Sequence, residues 1–416
     1  MAPLRDAAAL GAARTTQPLR RASPWQSRDY RLLLSGTLAA VLGNWVQQIG
    51  LAWHVLQTTG SAFDVALVQA ASALPMLVFG LLGGVVADRV DRTRLVVVTR
   101  SAIAGLSILL GALIWAGFAP LWAILLINGA IGIVWAFDMP ARQAMVPQLV
   151  EPPARTAAVA WLAAVMNGGR IAGPALGGIL LGGIGSAGCI IMSGFGYLLM
   201  AGLALRIRPL PPAPAEQRDL ARELLIGLRY TVAHPTILGL VLLSASIVVF
   251  WQAHVVLLPV FARDVLVAGA SGFGLLSTAS GVGALAGALL VAVWLPSRRQ
   301  GWTLAGLAIA SGALLPVWAA TTGFVASLVV LLLVTVCGAG AQTLAASLLQ
   351  REAPDHLQGR VMSVTLLTWG VSPIGLLLVG ALADLGGAPF AVTVAATISL
   401  ASALVIVLFA PGVRRL

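Results

Sequence analysis

The chain contains no lysine, and charged residues make up only 9% of its 416 positions. An average soluble protein carries about 25% charged residues, so this composition leaves no room for a large extramembrane catalytic domain. All 25 basic residues are arginine, and no GxxxxGK[ST] loop is present to cradle nucleotide phosphates. Histidine is scarce too, at four residues, with no HExxH pair and no GxSxG at a strand-to-helix turn. These absences speak against an enzyme. The two cysteines, Cys189 and Cys337, lie in apolar runs without CxxC spacing or a nearby histidine, so they read as buried thiols and no metal or other cofactor is expected.

What is present is apolar. Hydrophobic residues make up 59% of the chain and the mean hydropathy is +0.97. That is about 245 positions, close to the roughly 240 that twelve helices need to cross a bilayer. The apolar stretches are Leu32 to Gln57, Phe63 to Ala87, Leu95 to Phe118, Leu121 to Met139, Thr156 to Gly183 and Ala187 to Leu205. After a polar interval come Thr236 to Val260, Phe273 to Leu295, Trp302 to Ala320, Phe324 to Leu348, Val361 to Ala383 and Pro389 to Phe409. The predicted class is an all-α membrane protein of twelve transmembrane helices in two six-helix, pseudo-symmetric halves.

The net charge of +11 would suit nucleic acid, but the arginines follow membrane topology instead. With the N-terminus inside, 23 of the 25 fall on the inner side, one (Arg263) in an outer loop and one (Arg170) within a span. The expectation is a multi-pass, monomeric protein of the inner (plasma) membrane, bathed in lipid, with both termini cytoplasmic and no nucleic-acid partner. Residues 1–31 read as a cytoplasmic tail; they lack the apolar core of a secretory signal, though their Arg-rich, acid-poor start also fits an organellar transit peptide. Residues 32–205 form one bundle and 236–410 the other, with 411–416 as a short cytoplasmic tail. Between the bundles, 206–235 begins with Pro209, Pro211, Pro212 and Pro214. It continues as an amphipathic run through Arg218, Arg222, Leu225, Leu228 and Arg229, expected to lie on the inner membrane surface. His54 and His254 are 200 residues apart and Pro174 and Pro373 are 199 apart, as duplicated halves would place them.

Polar side chains inside the spans mark a path. Asn44, Gln47, Gln48 and His54, at offsets of 3, 4 and 10, share one side of the first span. They either line a hydrated cavity or bond neighbouring helices, since unsatisfied polar groups are costly in hydrocarbon. Trp251, Gln252 and His254 are their weaker counterpart in the seventh span, where a tryptophan can also be a plain interfacial anchor. Arg170 lies about 14 residues into the fifth span, roughly 21 Å along it. A charge at that depth needs a carboxylate, water or carbonyls, and no mid-depth Asp or Glu is apparent. It would bind an anion, lower a carboxylate's pKa or form a structural salt bridge, with the two histidines as further proton-pathway candidates.

Two motifs carry a resemblance. The turn after the second span reads Gly84-Val-Val-Ala-Asp88-Arg89-Val-Asp91-Arg92-Thr-Arg94, and the fifth span contains Gly169-Arg170-Ile-Ala-Gly173-Pro174-Ala-Leu-Gly177-Gly178. With twelve spans and a long central loop, the first resembles the gating turn of the major facilitator superfamily, although Asp91 stands where that pattern more often has Gly. The second resembles the motif that this superfamily associates with antiport exporters. The inner loops Asp138-Met-Pro140-Ala-Arg142-Gln143 and Pro354-Asp355-His-Leu-Gln-Gly359-Arg360 are similar to the branch holding the enterobactin exporter and macrolide efflux proteins. Gly84 is expected to permit a close helix approach and Asp138 to pair with Arg92. The helix-four Arg that the superfamily often links to proton transfer is absent from Leu121 to Met139. The resemblance implies a secondary transporter exporting a small amphiphilic, drug- or siderophore-like molecule against protons. An importer or uniporter of a small metabolite, or a non-transporting scaffold of the same fold, would share these features.

Overall fold

The computed structural model describes residues 23–211, 220–294, 299–354 and 357–416. Most of the expected N-terminal tail, together with Pro212, Pro214, Arg218, Arg298 and Asp355, lies outside the described residues. Every regular element among those described is helical.

The first half opens with α1 (Arg28–Thr59), α2 (Ala62–Arg89), α3 (Arg92–Trp115) and α4 (Leu121–Met145). Polar caps start three of them. The Ser27 hydroxyl accepts from the Tyr30 amide at 3.2 Å, Ser61 from Asp64 at 3.0 Å, and the Asp91 carboxylate from Arg94 at 3.0 Å. Each satisfies a first-turn N–H that has no partner within its helix. The capping by Asp91 gives a local reason for an acid at that turn position.

A single helical run, Arg155–Ala204, follows over 50 residues. At 1.5 Å per residue it would reach about 75 Å, more than twice the hydrocarbon thickness. Gly185 divides it, with φ 68 and ψ 180, a conformation essentially reserved for glycine. The packing on α1 shows the reversal. Gly169, Gly173 and Gly177 face Val41, Trp45 and Ile49 in parallel order, whereas Met200, Ser193 and Cys189 face Gly36, Gly43 and Gly50 in antiparallel order. Residues 155–184 are therefore α5 and residues 186–204 are α6, so the eleven uninterrupted apolar runs make twelve spans.

A linker helix (Leu220–Ala233) leads into α7 (Pro235–Val265), α8 (Gly269–Trp294), α9 (Gln300–Ala319), α10 (Phe324–Glu352), α11 (Gln358–Gly386) and α12 (Ala388–Phe409). Of these α7 is irregular, passing from α-helix into a π turn at Ile247–Trp251, a 3₁₀ stretch at Gln252–Leu257 and a second π turn at Phe261–Val265. Several helices also outrun their predicted ends. α4 continues through Pro140 to Met145, so it does contain an arginine, Arg142, contrary to the sequence expectation. Proline weakens a helix by removing one hydrogen bond; here it did not end one.

The halves meet along α2 with α11 and α5 with α8. Small residues make this possible, because helices in lipid associate by close packing rather than by a hydrophobic drive. A Cβ on Gly178 would lie 2.6 Å from the Gly274 Cα, and one on Gly380 would lie 2.9 Å from the Phe63 Cα. Hydrogen bonds also tie the halves at one end of the bundle. Asp384, at the end of α11, accepts from the Ala62 amide at 2.7 Å, the Phe63 amide at 3.2 Å and the Ser61 hydroxyl at 2.5 Å. Arg263 on α7 donates to the Leu56 carbonyl on α1 at 2.5 Å.

Candidate functional site

Two adjoining cavities lie inside the bundle. The larger, about 340 Å³, is bounded by Asn44, Gln47, Gln48, Leu51 and Val55 on α1, by Val65, Gln69, Ser72 and Met76 on α2, and by Asn128, Ile131 and Trp135 on α4. Tyr197 on α6 and Leu376 on α11 complete it. The smaller, about 70 Å³, lies between the halves. Its wall includes Trp45 and Gln48 of α1, Arg170 of α5, Val255, Leu258 and Pro259 of α7, and Phe273, Ser277, Ser280 and Gly281 of α8. Gln48, Ala52 and Gln69 border both cavities.

The polar face of α1 divides by role. Gln48 is exposed to the cavities. Asn44 accepts a hydrogen bond from the Tyr197 hydroxyl at 3.3 Å. Gln47 is 5% exposed, and its carbonyl accepts from Ser107 at 3.0 Å and Ser193 at 2.9 Å, which ties α1 to α3 and α6. His54 borders neither cavity.

The predicted α7 face is turned away. Trp251 packs against Gly338, and His254 is buried between Trp251 and Trp318, with ring centroids 5.2 and 5.9 Å apart. Trp251, Gln252 and His254 line neither cavity; Val255, Leu258 and Pro259 do. The cause is the π turn followed by 3₁₀ backbone, which rotates the side chains away from the 100° spacing on which a regular helix depends. Sequence reasoning also passed over Gln69, Ser72, Asn128, Trp135 and Tyr197, although Gln69, Ser72 and Asn128 are polar interruptions of apolar helices and could have been found that way.

Arg170 is placed in the cleft wall. Pro174 lacks the N–H that would bond the Arg170 carbonyl four residues earlier. α8 comes up to that carbonyl, since a Cβ on Gly281 would lie 2.6 Å from its oxygen. The glycines of the same motif have two orientations: Gly169, Gly173 and Gly177 seat α1, and Gly178 meets α8 of the other half.

In the turn between α2 and α3 the residues differ from expectation. Arg92 pairs with Asp88 at 3.0 Å and donates to the Ala87 carbonyl at 3.3 Å. Arg89 and Arg94 are exposed. Gly84 has open space around it, and the close approach to α4 is made by its neighbour Gly83 against the Ala136 carbonyl. Asp138 pairs with Arg100 rather than Arg92. Arg100 grips both carboxylate oxygens, Thr99 donates at 3.0 Å, and the Arg142 Nε lies 3.6 Å away. All three charged residues are almost fully buried. Arg100 lies six residues, roughly 9 Å, further along α3 than Arg94, so it reaches the buried face of α4, while Arg92 is used up within its own turn. The Arg100 guanidinium lies 5.3 Å from the Trp135 ring and 5.6 Å from the Tyr197 ring, both of which line the larger cavity. The cluster carries two positive charges and one negative, directly behind the cavity wall.

A family model described as transmembrane secretion effector matches residues 20–413. The staphyloferrin A transporter of Staphylococcus aureus is 25% identical over 86% of this chain and 90% of its own length. The multidrug efflux pump Tap of Mycolicibacterium fortuitum is 29% identical, covering 86% and 89%. The enterobactin exporter of Salmonella paratyphi A is 30% identical, covering 74% of each chain. Among solved structures, a nucleoside transporter superposes with a TM-score of 0.74 at 11% identity over 92% of this chain and 99% of its own. A POT family transporter in complex with 5-aminolevulinic acid gives 0.72 at 13%, over 93% and 97%. These two likenesses bear on the fold alone. The match across nearly the whole chain, on a twelve-span framework with a cavity between its halves, establishes that this multi-pass membrane protein belongs to the transmembrane secretion effector family of the major facilitator superfamily.

Proposed function

We propose that the chain exports a small amphiphilic molecule from the cytoplasm across the inner membrane by alternating access, driven by proton influx. Both termini face the cytoplasm and the protein acts as a monomer. The observation that carries this reading is the cavity of about 340 Å³, within the usual size range of small-molecule sites, walled by apolar side chains and a few amides. The outer ties at Asp384 and Arg263 suit a state closed to the outside. In the complementary state those bonds break and the halves rock about the same cavity. The names of the relatives support export, of siderophores or drugs. No nucleotide-binding loop is present, so an ion gradient is the available drive.

The turn at Asp88 and Arg92 acts as an inner gate, and the buried Arg100–Asp138–Arg142 cluster fixes α3 against α4 beside it. The test is accumulation of a panel of amphiphilic compounds in cells with and without the protein. Lower accumulation of at least one compound is expected when the protein is present. Equal accumulation across the panel, with the protein inserted, would contradict export. Transport by purified protein in proteoliposomes separates a carrier from a scaffold of the same fold.

A further inference from the structure

Arg170 lines the smaller of the two cavities, the larger is lined by no charged residue, and no Asp or Glu lines either of them. The described residues give its guanidinium no hydrogen bond or ion pair. The acids elsewhere are committed or remote. Asp138 is held by Arg100 and Thr99 behind the wall, Asp384 caps the outer end of α2, and Asp64 sits in the outer first turn of α2. The cleft therefore carries one uncompensated positive charge at mid-depth, where a charge is expensive without a counter-charge. The backbone that presents it is fixed at the α5–α8 crossing, through Pro174 and Gly281.

We propose that the cargo supplies the missing charge: an amphiphile whose carboxylate, sulfate or phosphate oxygens are bound by Arg170, with its apolar body in the larger cavity. This rests on reading the cleft as the cargo site. A guanidinium offers paired, planar donors that match an oxyanion. Gln48 and Gln69 border both cavities and join the charged subsite to the apolar one. Leu51, Val55, Val65 and Trp135 receive the rest of the molecule. A cationic amphiphile meets repulsion from the same group. Loading an anion neutralises the cleft, so the loaded carrier crosses the membrane field with less fixed charge than the empty one.

The experiment uses the full chain in lipid nanodiscs, titrated with 2-naphthoate, 2-naphthamide and 2-(aminomethyl)naphthalene and read by quenching of intrinsic tryptophan fluorescence. Trp45 and Trp135 lie in the cavity walls and serve as reporters. Naphthoate should bind about tenfold or more tighter than the amide, the scale of a charge-assisted hydrogen bond, and the amine weakest of all. Arg170→Gln should abolish the preference for naphthoate over the amide; Arg170→Lys should keep the order. Amide or amine binding as tight as naphthoate in the unaltered protein overturns the proposal. So does no naphthoate binding at all, or an anion preference that survives Arg170→Gln. If Arg170→Gln does not fold, the three-ligand comparison in the unaltered protein still decides. Naphthoate binding with no flux in vesicles would sink the export reading and leave this inference standing; flux with no anion preference would do the reverse.

Discussion

Asp384, at the end of α11, ties the two halves at the start of α2, and its loss should shift the balance between conformers. Three donors converge on its carboxylate, from Ser61, Ala62 and Phe63. Two are first-turn amides of α2 that no intrahelical carbonyl can satisfy. Because the site is exposed, each bond is taken near the low end of its usual range, about 0.5 kcal/mol. The negative charge at the α2 N-terminus adds about 0.3–1 kcal/mol. Together these give about 2 kcal/mol, or roughly a thirtyfold change in the equilibrium for Asp384→Ala. Asp384→Asn keeps one acceptor oxygen and should lose about 1 kcal/mol, roughly fivefold. If the outward-open form is populated at about 1% in the unaltered protein, Asp384→Ala raises it to roughly a quarter. Pulsed electron-spin distance measurements between labels at Phe118 and Leu385, both strongly exposed, would read it, with Cys189 and Cys337 replaced by alanine. A longer-distance population should grow in the order parent, Asn, Ala. Distance distributions that superimpose for all three would refute the role assigned to this contact.

Gly178→Ala should act on the same equilibrium, since the new methyl would press on Gly274 of the opposite half; the same label pair should report outer opening. Gly173→Leu should be a different kind of change, driving a side chain into Trp45 within one half. It should cost about 1–3 kcal/mol or more, seen as a lower thermal midpoint together with reduced efflux. Asp138→Asn leaves Arg100 and Arg142 without their buried counter-charge and should destabilise by about 3–5 kcal/mol, measured by thermal unfolding in detergent. Arg92→Ala or Asp88→Asn should impair transport without preventing insertion, whereas Arg94→Ala, at an exposed side chain, should matter less; equal flux in all three would remove the turn from gating.

The twelve-span plan was legible because hydropathy and the arginine distribution both follow from the bilayer itself. The fifth and sixth spans were separable at Gly185 by length alone. Helical spacing on α1 put Asn44, Gln47, Gln48 and His54 on one side; the first three border the larger cavity, whereas His54 borders neither. The same reasoning failed on α7, where π and 3₁₀ turns rotate Trp251, Gln252 and His254 out of the cavity. No residue type in that segment announces the change of pitch. Asp138 was expected to pair with an arginine, but the partner was misassigned. A positive-inside pattern supplies several arginines near one carboxylate, and only the packing of α3 on α4 selects Arg100. Gly83 and Gly84 were likewise indistinguishable until the facing helix was known.

The central claim is outward, gradient-driven carriage of a small amphiphile through the cleft between the halves. Its most direct test is uptake into inverted membrane vesicles containing the protein, under an imposed proton gradient, of whichever compound the cellular panel identifies. Accumulation should occur inside these vesicles, collapse with a protonophore, and be absent from vesicles lacking the protein. Accumulation confined to right-side-out vesicles would contradict export, and uptake indifferent to the protonophore would contradict coupling to protons.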